Sequence, residues 1–245
     1  MKTTLEIIKL SKDYNKKEAV KNISFKLNKN EIIGILGPNG CGKTTTIGMI
    51  LGLLKPTSGK VLINGIEIEK NRIQLLNNLN FISPYIELPK KLTVKQNLIV
   101  YGKLYDVKNL KTKIEDLSEK LRLGDIIDKV TGELSSGQKN RVGLAKSIIN
   151  DPLVLLLDEP TASLDPETGD FVRSFFEDYQ KEKGTSILLA SHNMSEVERL
   201  CSSVLMMNNG SIIDQGSPDK LIQKHGRRNM EEVFLKLTRK KLWIL

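Results

Sequence analysis

Cysteine is scarce. The 245 residues hold two, Cys41 and Cys201, too few for the disulfide framework of a small secreted domain, so a reducing compartment is expected. No run approaches the roughly 18 to 20 apolar residues that a membrane-spanning helix needs. Met1 to Leu10 alternates charged with apolar residues where a secretory leader would be continuously apolar. The chain is therefore expected neither to span a membrane nor to be secreted. Aromatic residues make up 5%, a poor supply of the stacking platforms that bind single-stranded nucleic acid. Internal repeats, low-complexity tracts and linkers are absent too, so the chain reads as one continuous domain, residues 1–245. The apolar share of 39% and charged share of 27% are globular values that exclude a disordered or collagen-like chain.

What is abundant is positive charge: 38 Lys and Arg against 29 Asp and Glu, a net +9. It is concentrated. Residues 89–113 carry seven Lys against one Asp, and residues 219–241 carry eight basic residues against three acids, which leaves the remainder slightly acidic. Such runs are solvated faces, or they meet an anionic membrane surface or a nucleic-acid backbone.

Short β-branched and apolar runs, Ile32 to Leu36, Leu153 to Leu157, Ser186 to Ala190 and Val204 to Met207, read as buried strands. They alternate with helical stretches such as Lys43 to Leu53 and Pro166 to Lys183, the pattern of an α/β parallel sheet with crossover helices. Leu5 to Leu10, Asn22 to Leu27 and Val61 to Ile63 with its Asn64-Gly65 turn predict a small antiparallel layer beside it. From about Thr93 to Ile149 helical periodicity takes over, which predicts a helical subdomain at about 85–150. A basic tail is expected from about 215 to 245.

The sequence Gly37-Pro38-Asn39-Gly40-Cys41-Gly42-Lys43-Thr44-Thr45 follows the first central strand and opens a helix, matching G-x-x-x-x-G-K-[ST] in the context it requires. Its glycines let backbone amides converge on a β-phosphate, and the helix dipole adds positive charge. Lys43 is expected to bridge the β- and γ-phosphates and Thr44 to hold Mg²⁺. The amide rather than the sulfur of Cys41 should matter. Leu153 to Leu157 ends in Asp158-Glu159 at the carboxyl edge of the sheet. There Asp158 is expected to act on Mg²⁺ from behind its inner ligands or through water, and Glu159 to serve as the base that orients the attacking water.

Two further segments make the pattern specific. Leu134-Ser135-Ser136-Gly137-Gln138 resembles the LSGGQ signature of ATP-binding cassette (ABC) ATPases, with Ser136 at a position where that family usually has glycine. Ala162-Ser163-Leu164-Asp165-Pro166 resembles its D-loop, and Ala190-Ser191-His192 its switch histidine. The resemblance spans nearly the whole chain. It implies a P-loop NTPase (RecA-like) core with an antiparallel β subdomain and an inserted helical subdomain. It also implies a head-to-tail dimer in which ATP lies between the phosphate loop of one copy and Ser135, Ser136, Gly137 and Gln138 of the other. Asp165 would shape that contact, His192 would sense the γ-phosphate and Tyr14 would stack on adenine. His225 has no assigned role, and Cys201 reads as core.

One departure stands out: counting back from Leu92-Thr93-Val94, the glutamine that the family carries falls on Ser83-Pro84-Tyr85. Ser191 to Cys201 and Asn229 to Leu235 resemble the ATPases of ABC-2 type exporters. The expected function is an ATP-hydrolysing subunit on the cytoplasmic face of the membrane, working with a separate integral permease chain. The alternatives are a soluble cassette acting on a ribosome or a cofactor-assembly machine, and a nucleotide-gated regulator without turnover.

Overall fold

The computed structural model describes residues 2–15, 17–83, 87–162 and 164–239. They fall into two units, one built from the residues up to Leu75 with those from Ser186 onward, the other from Leu76 to Thr185.

In the first unit β1 (Thr3–Tyr14) and β2 (Lys17–Asn28) form an antiparallel pair, with Leu5 opposite Leu27 and Ile7 opposite Phe25, all four buried. Both strands are longer than the alternating segments in the sequence, because the pairing continues through register shifts that break strict alternation. Next come β3 (Ile32–Leu36) and α1 (Lys43–Ile50). Helix α1 was expected to reach Leu53. It stops early because Gly52 adopts φ +64° and the amides of Leu53 and Leu54 both turn back to the Gly48 carbonyl. β4 (Ser58–Ile63) pairs with β1, and the Asn64-Gly65 turn leads into β5 (Ile66–Glu67), so the antiparallel order is β2-β1-β4-β5. A short α2 (Arg72–Leu76) follows.

The second unit holds β6 (Leu79–Ile82) and the helices α3 (Val94–Leu104), α4 (Leu110–Lys120) and α5 (Ser136–Ser147). It continues with β7 (Val154–Asp158) and α6 (Pro166–Lys183). β6 and β7 are parallel, so all three intervening helices sit in their crossover. Every residue of β7 is buried. The strand begins one residue later than the apolar run, because Leu153 is exposed. Helix α6 has the start and stop signals expected of it: Asp165 as N-cap, Pro166 in its first turn and Gly184 left-handed at its end. It buries Val172, Phe176 and Tyr179, one face at helical spacing.

The chain returns to the first unit with β8 (Ser186–Ser191), α7 (Met194–Leu200), β9 (Ser203–Asn208), β10 (Ser211–Gly216), α8 (Pro218–His225) and α9 (Met230–Arg239). β3 lies between β8 and β9 and is parallel to both, while β10 is antiparallel to β9. The stretch expected as a tail contains two helices. His225 Nε2 lies 2.7 Å from Asp214 Oδ2 and the Lys224 ammonium 2.6 Å from Oδ1, tying α8 to β10. Burial pushes the Asp214 carboxyl up, but hydrogen bonds from Lys224 and His225 outweigh it and hold the group below its usual range. Cys201 is buried as expected, and burial raises its thiol pKa.

Phe176 is fully buried on α6 and its ring meets Phe175 edge-on. Phe176→Ala should therefore cost about 3 to 5 kcal/mol, read as a lower denaturant midpoint; a loss under about 1 kcal/mol would show that this face does not pack as described.

Candidate nucleotide site

The phosphate loop lies in the first unit. Its backbone lies so close to neighbouring strands that side chains are excluded at two points. A Cβ on Gly37 would stand 2.3 Å from the Met207 carbonyl oxygen, and one on Gly42, at φ +112°, would stand 2.6 Å from that of Ala19. Gly40, at φ +77°, faces open space. Left-handed glycines beside a helix start turn successive amides to one side, a concavity suited to a phosphate.

Lys43 is buried and its ammonium donates to the Gly37 carbonyl at 2.7 Å and the Pro38 carbonyl at 3.4 Å. It therefore lies back along the loop it belongs to. The Cys41 amide donates to the Pro38 carbonyl at 3.2 Å, closing a turn within the loop. The Cys41 side chain is packed against Gly37, and burial raises its thiol pKa more than the Lys43 charge lowers it. Thr44 is exposed, Thr45 is half-buried and the Thr46 hydroxyl donates to the Gly42 carbonyl at 2.9 Å.

Ser191 is in register with Leu36 across the parallel β3–β8 pair. Gly37 and His192 thus leave neighbouring strands at the same edge, and the structure brings them together. Tyr14, 45% exposed, ends β1 opposite Lys17. Sequence reasoning missed Glu196, which is buried and accepts the Ser191 hydroxyl at 2.6 Å, while the Ser191 oxygen accepts the Asn193 amide at 3.0 Å. This braces the start of α7 next to His192.

The acids and the signature lie in the second unit. Asp158 ends β7 and is buried; Glu159 follows at φ +54°. A left-handed glutamate is costly, on the order of 1 to 3 kcal/mol, and such strain collects where position matters. The Ala162 amide closes the turn on the Glu159 carbonyl at 3.0 Å.

Ser135 caps α5 in a reciprocal box: its Oγ accepts the Gln138 amide at 3.3 Å and its own amide donates to Gln138 Oε1 at 3.0 Å. Ser136 and Gly137 occupy the first turn, where no preceding helical carbonyl takes an amide. Gly137 sits beside Thr168, whose hydroxyl and amide both donate to the Asp165 carboxyl, the amide at 2.9 Å to Oδ1, and hold it below its usual pKa. Asn140 Nδ2 donates to the Pro160 carbonyl at 3.1 Å. Within this unit the signature, Asp165 and the turn after Glu159 are therefore joined. The departure at Pro84 and Tyr85 lies outside the described residues, as does Ser163 of the D-loop segment.

The family model for ABC transporters matches residues 20–162. The ATP-binding protein NatA of Bacillus subtilis (strain 168) is 34% identical over 221 residues, 89% of each chain. The chain belongs to the ABC transporter family. The Nod factor export ATP-binding protein I of Rhizobium sp. (strain N33) is 33% identical over 235 residues, 95% of this chain and 77% of that one. A solved ATP-binding subunit of an ABC transporter superposes with a TM-score of 0.89 at 27% identity, over 96% of this chain and all of that one. The fold is thus the ABC ATPase fold, and the chain is an ATP-binding, ATP-hydrolysing subunit of an ABC transporter.

Two outcomes test the geometry of this ABC subunit. Gly37→Ala should lower ATP affinity at least tenfold, because the Met207 carbonyl cannot yield to a methyl group, whereas Gly124→Ala, in open space, should bind as the parent does in a fluorescent-nucleotide titration. Equal binding by both would remove the close approach from the argument.

Lys146 near the end of α5 supplies the second. Burial lowers its pKa from 10.5 to about 8, so between about pH 8 and 10.5 the unfolded chain holds a proton that the folded chain has lost. Stability should therefore rise with pH across that window, by up to about 3 kcal/mol relative to Lys146→Met. Parallel stability-against-pH curves for the two proteins would contradict it.

Proposed function

We propose that this subunit drives an exporter whose membrane-spanning part is a separate polypeptide, and that it works at the cytoplasmic face as a head-to-tail pair. The observation that carries the pairing is the N-terminus of α5. Ser135 and Ser136 are exposed there, the Ser135 oxygen serves the cap as an acceptor, and its hydroxyl proton remains able to donate. A helix start with first-turn amides and a hydroxyl is an anion receptor, and the γ-phosphate of an ATP held by a second copy is the anion it fits. Export is supported by the kinship with the Nod factor export protein.

In this reading the loop from Gly37 to Thr45 takes the phosphates, with the Lys43 ammonium exchanging the Gly37 and Pro38 carbonyls for the β- and γ-oxygens. Thr44 and Asp158 would hold Mg²⁺, which neutralises phosphate charge when bound; an exposed hydroxyl and a buried carboxylate are hard oxygen donors suited to it. Glu159 accepts a proton from the attacking water and aligns it, His192 donates to the γ-phosphate, Tyr14 stacks on adenine and Asp165 shapes the contact between copies.

The permease contact is assigned to α3. Val100 and Leu104 are exposed, Leu104 by 70%, and Lys95 and Lys103 flank them. An apolar stripe edged with lysine can dock against a membrane subunit while facing an anionic leaflet. Among no described helix is there a span long and apolar enough to cross a membrane.

Glu159→Gln tests the site: hydrolysis should fall by about 10² to 10⁴ while ATP binding persists and a dimer accumulates in ATP, seen by light scattering. A native rate in this variant would overturn the assignment of the base. The paired site further requires that specific activity rise with protein concentration, and a monomer with a constant rate per subunit would exclude it. Val100→Asp with Leu104→Asp should abolish co-purification with the membrane subunit and leave the ATPase rate of the isolated chain within about twofold; retained co-purification would place the contact elsewhere.

A further inference from the structure

Lys12 and Tyr14 stand two residues apart on β1 and share a face. The Lys12 ammonium lies 5.2 Å from the centre of the Tyr14 ring, within range of a cation–π contact. It is anchored there, since it also donates to the Lys55 carbonyl at 2.7 Å. The neighbouring backbone is fastened to the same segment: the Asp13 amide donates to Thr57 Oγ1 and the Thr57 amide to the Ser11 carbonyl, both at 2.9 Å. Residues 55–57 follow α1, the helix that the phosphate loop opens. On the other strand of the hairpin the Ala19 carbonyl abuts Gly42 within the loop itself. The end of the hairpin is therefore tied to the segment after α1 on one flank and to the phosphate loop on the other, and Lys12 links the exposed Tyr14 ring to that frame.

We propose that Lys12 is a positioning residue for the nucleotide base, holding one face of Tyr14 so that the other is presented to adenine at a fixed distance from the phosphate loop. This rests on the reading of Tyr14 as the adenine platform. The physical gain is preorganisation: a ring already held by a cation loses little rotational freedom when a base stacks on it, whereas an unheld ring loses that freedom on binding. Lys12 need not touch ATP to act.

The competing role for a lysine here is plain attraction of the triphosphate, and a double-mutant cycle separates the two. Dissociation constants would be measured for ATP and for inorganic tripolyphosphate with the parent, Lys12→Met, Lys12→Arg, Tyr14→Ala and the Lys12→Met/Tyr14→Ala pair. Lys12→Met keeps the apolar stem and removes the cation. It should weaken ATP about two- to fivefold, the size of an exposed cation–π contact, with the loss appearing in KM rather than kcat. Tripolyphosphate binding should not change, Lys12→Arg should restore ATP affinity, and Lys12→Met should add nothing once Tyr14 is alanine. Equal loss for ATP and tripolyphosphate, or the same loss with and without Tyr14, would overturn the proposal and leave the platform intact. If Tyr14→Ala alone leaves ATP affinity at the parent value, the platform reading itself fails, and the proposal with it.

Discussion

The hydrogen bond from the Gly210 amide to the Cys41 carbonyl, 2.9 Å long, holds the phosphate loop to its unit. The Gly210 carbonyl in turn accepts the Lys21 amide at 2.7 Å, so one residue in the β9–β10 turn fastens the loop to β2. Only glycine serves at that position. Its φ is +83°, and a Cβ would stand 2.9 Å from the Ala19 carbonyl oxygen. With Met207 pressed on Gly37 and Ala19 on Gly42, backbone meets backbone on three sides. The loop is thus shaped by main-chain contacts, with the buried Cys41 side chain packed against Gly37.

A comparable economy governs the second unit. The signature helix, the D-loop aspartate and the turn after Glu159 are separate in sequence, yet a few polar contacts make them one surface. Asn140 reaches the Pro160 carbonyl, Gly137 admits Thr168, and Thr168 is held by Asp165. None of these contacts is strong alone. Their joint effect is positional. They fasten the turn after the left-handed Glu159 to α5, and α5 to the start of α6.

How far this could be read from the sequence follows from how local each cause is. β3, the phosphate loop and α6 were legible because their signals are contiguous: a wholly apolar run, a glycine pattern, and an Asp-Pro start with a glycine stop. The end of α1 was not, because it depends on Leu54 folding back over Gly48. α8 carried a signal that was passed over, Ser217-Pro218 at its start and Gly226 at its end, hidden by reading the region as charge alone. The Glu159 conformation and the Glu196 brace of Ser191 were out of reach, since nothing in a residue's identity states its φ or its partner. Pairings such as Lys12 with Lys55 belong to the same class, set by tertiary neighbours rather than by spacing.

Charge placement shows the same division between what is local and what is not. Of the basic run at 89–113, Lys113 pairs with Asp151 and Lys90 with Glu87, each at 2.7 Å, while Lys95, Lys103, Lys108 and Lys111 are exposed. The lysine with the largest consequence lies outside that run. Lys146 is enclosed on α5, where it donates to Asn80 Oδ1 at 3.1 Å and the Phe81 carbonyl at 3.2 Å, with its ammonium 5.3 Å from the Tyr101 ring. Burying a cation against neutral oxygens and a ring is costly, and the lowered pKa measures that cost. The contacts tolerate little displacement, because each oxygen lost would leave the charge less well solvated. Tyr101 is next to Val100 on α3, Asn80 and Phe81 lie on β6, and Lys146 is in the last turn of the signature helix. Lys146 therefore ties α3, β6 and α5 to one another through a single enclosed ammonium.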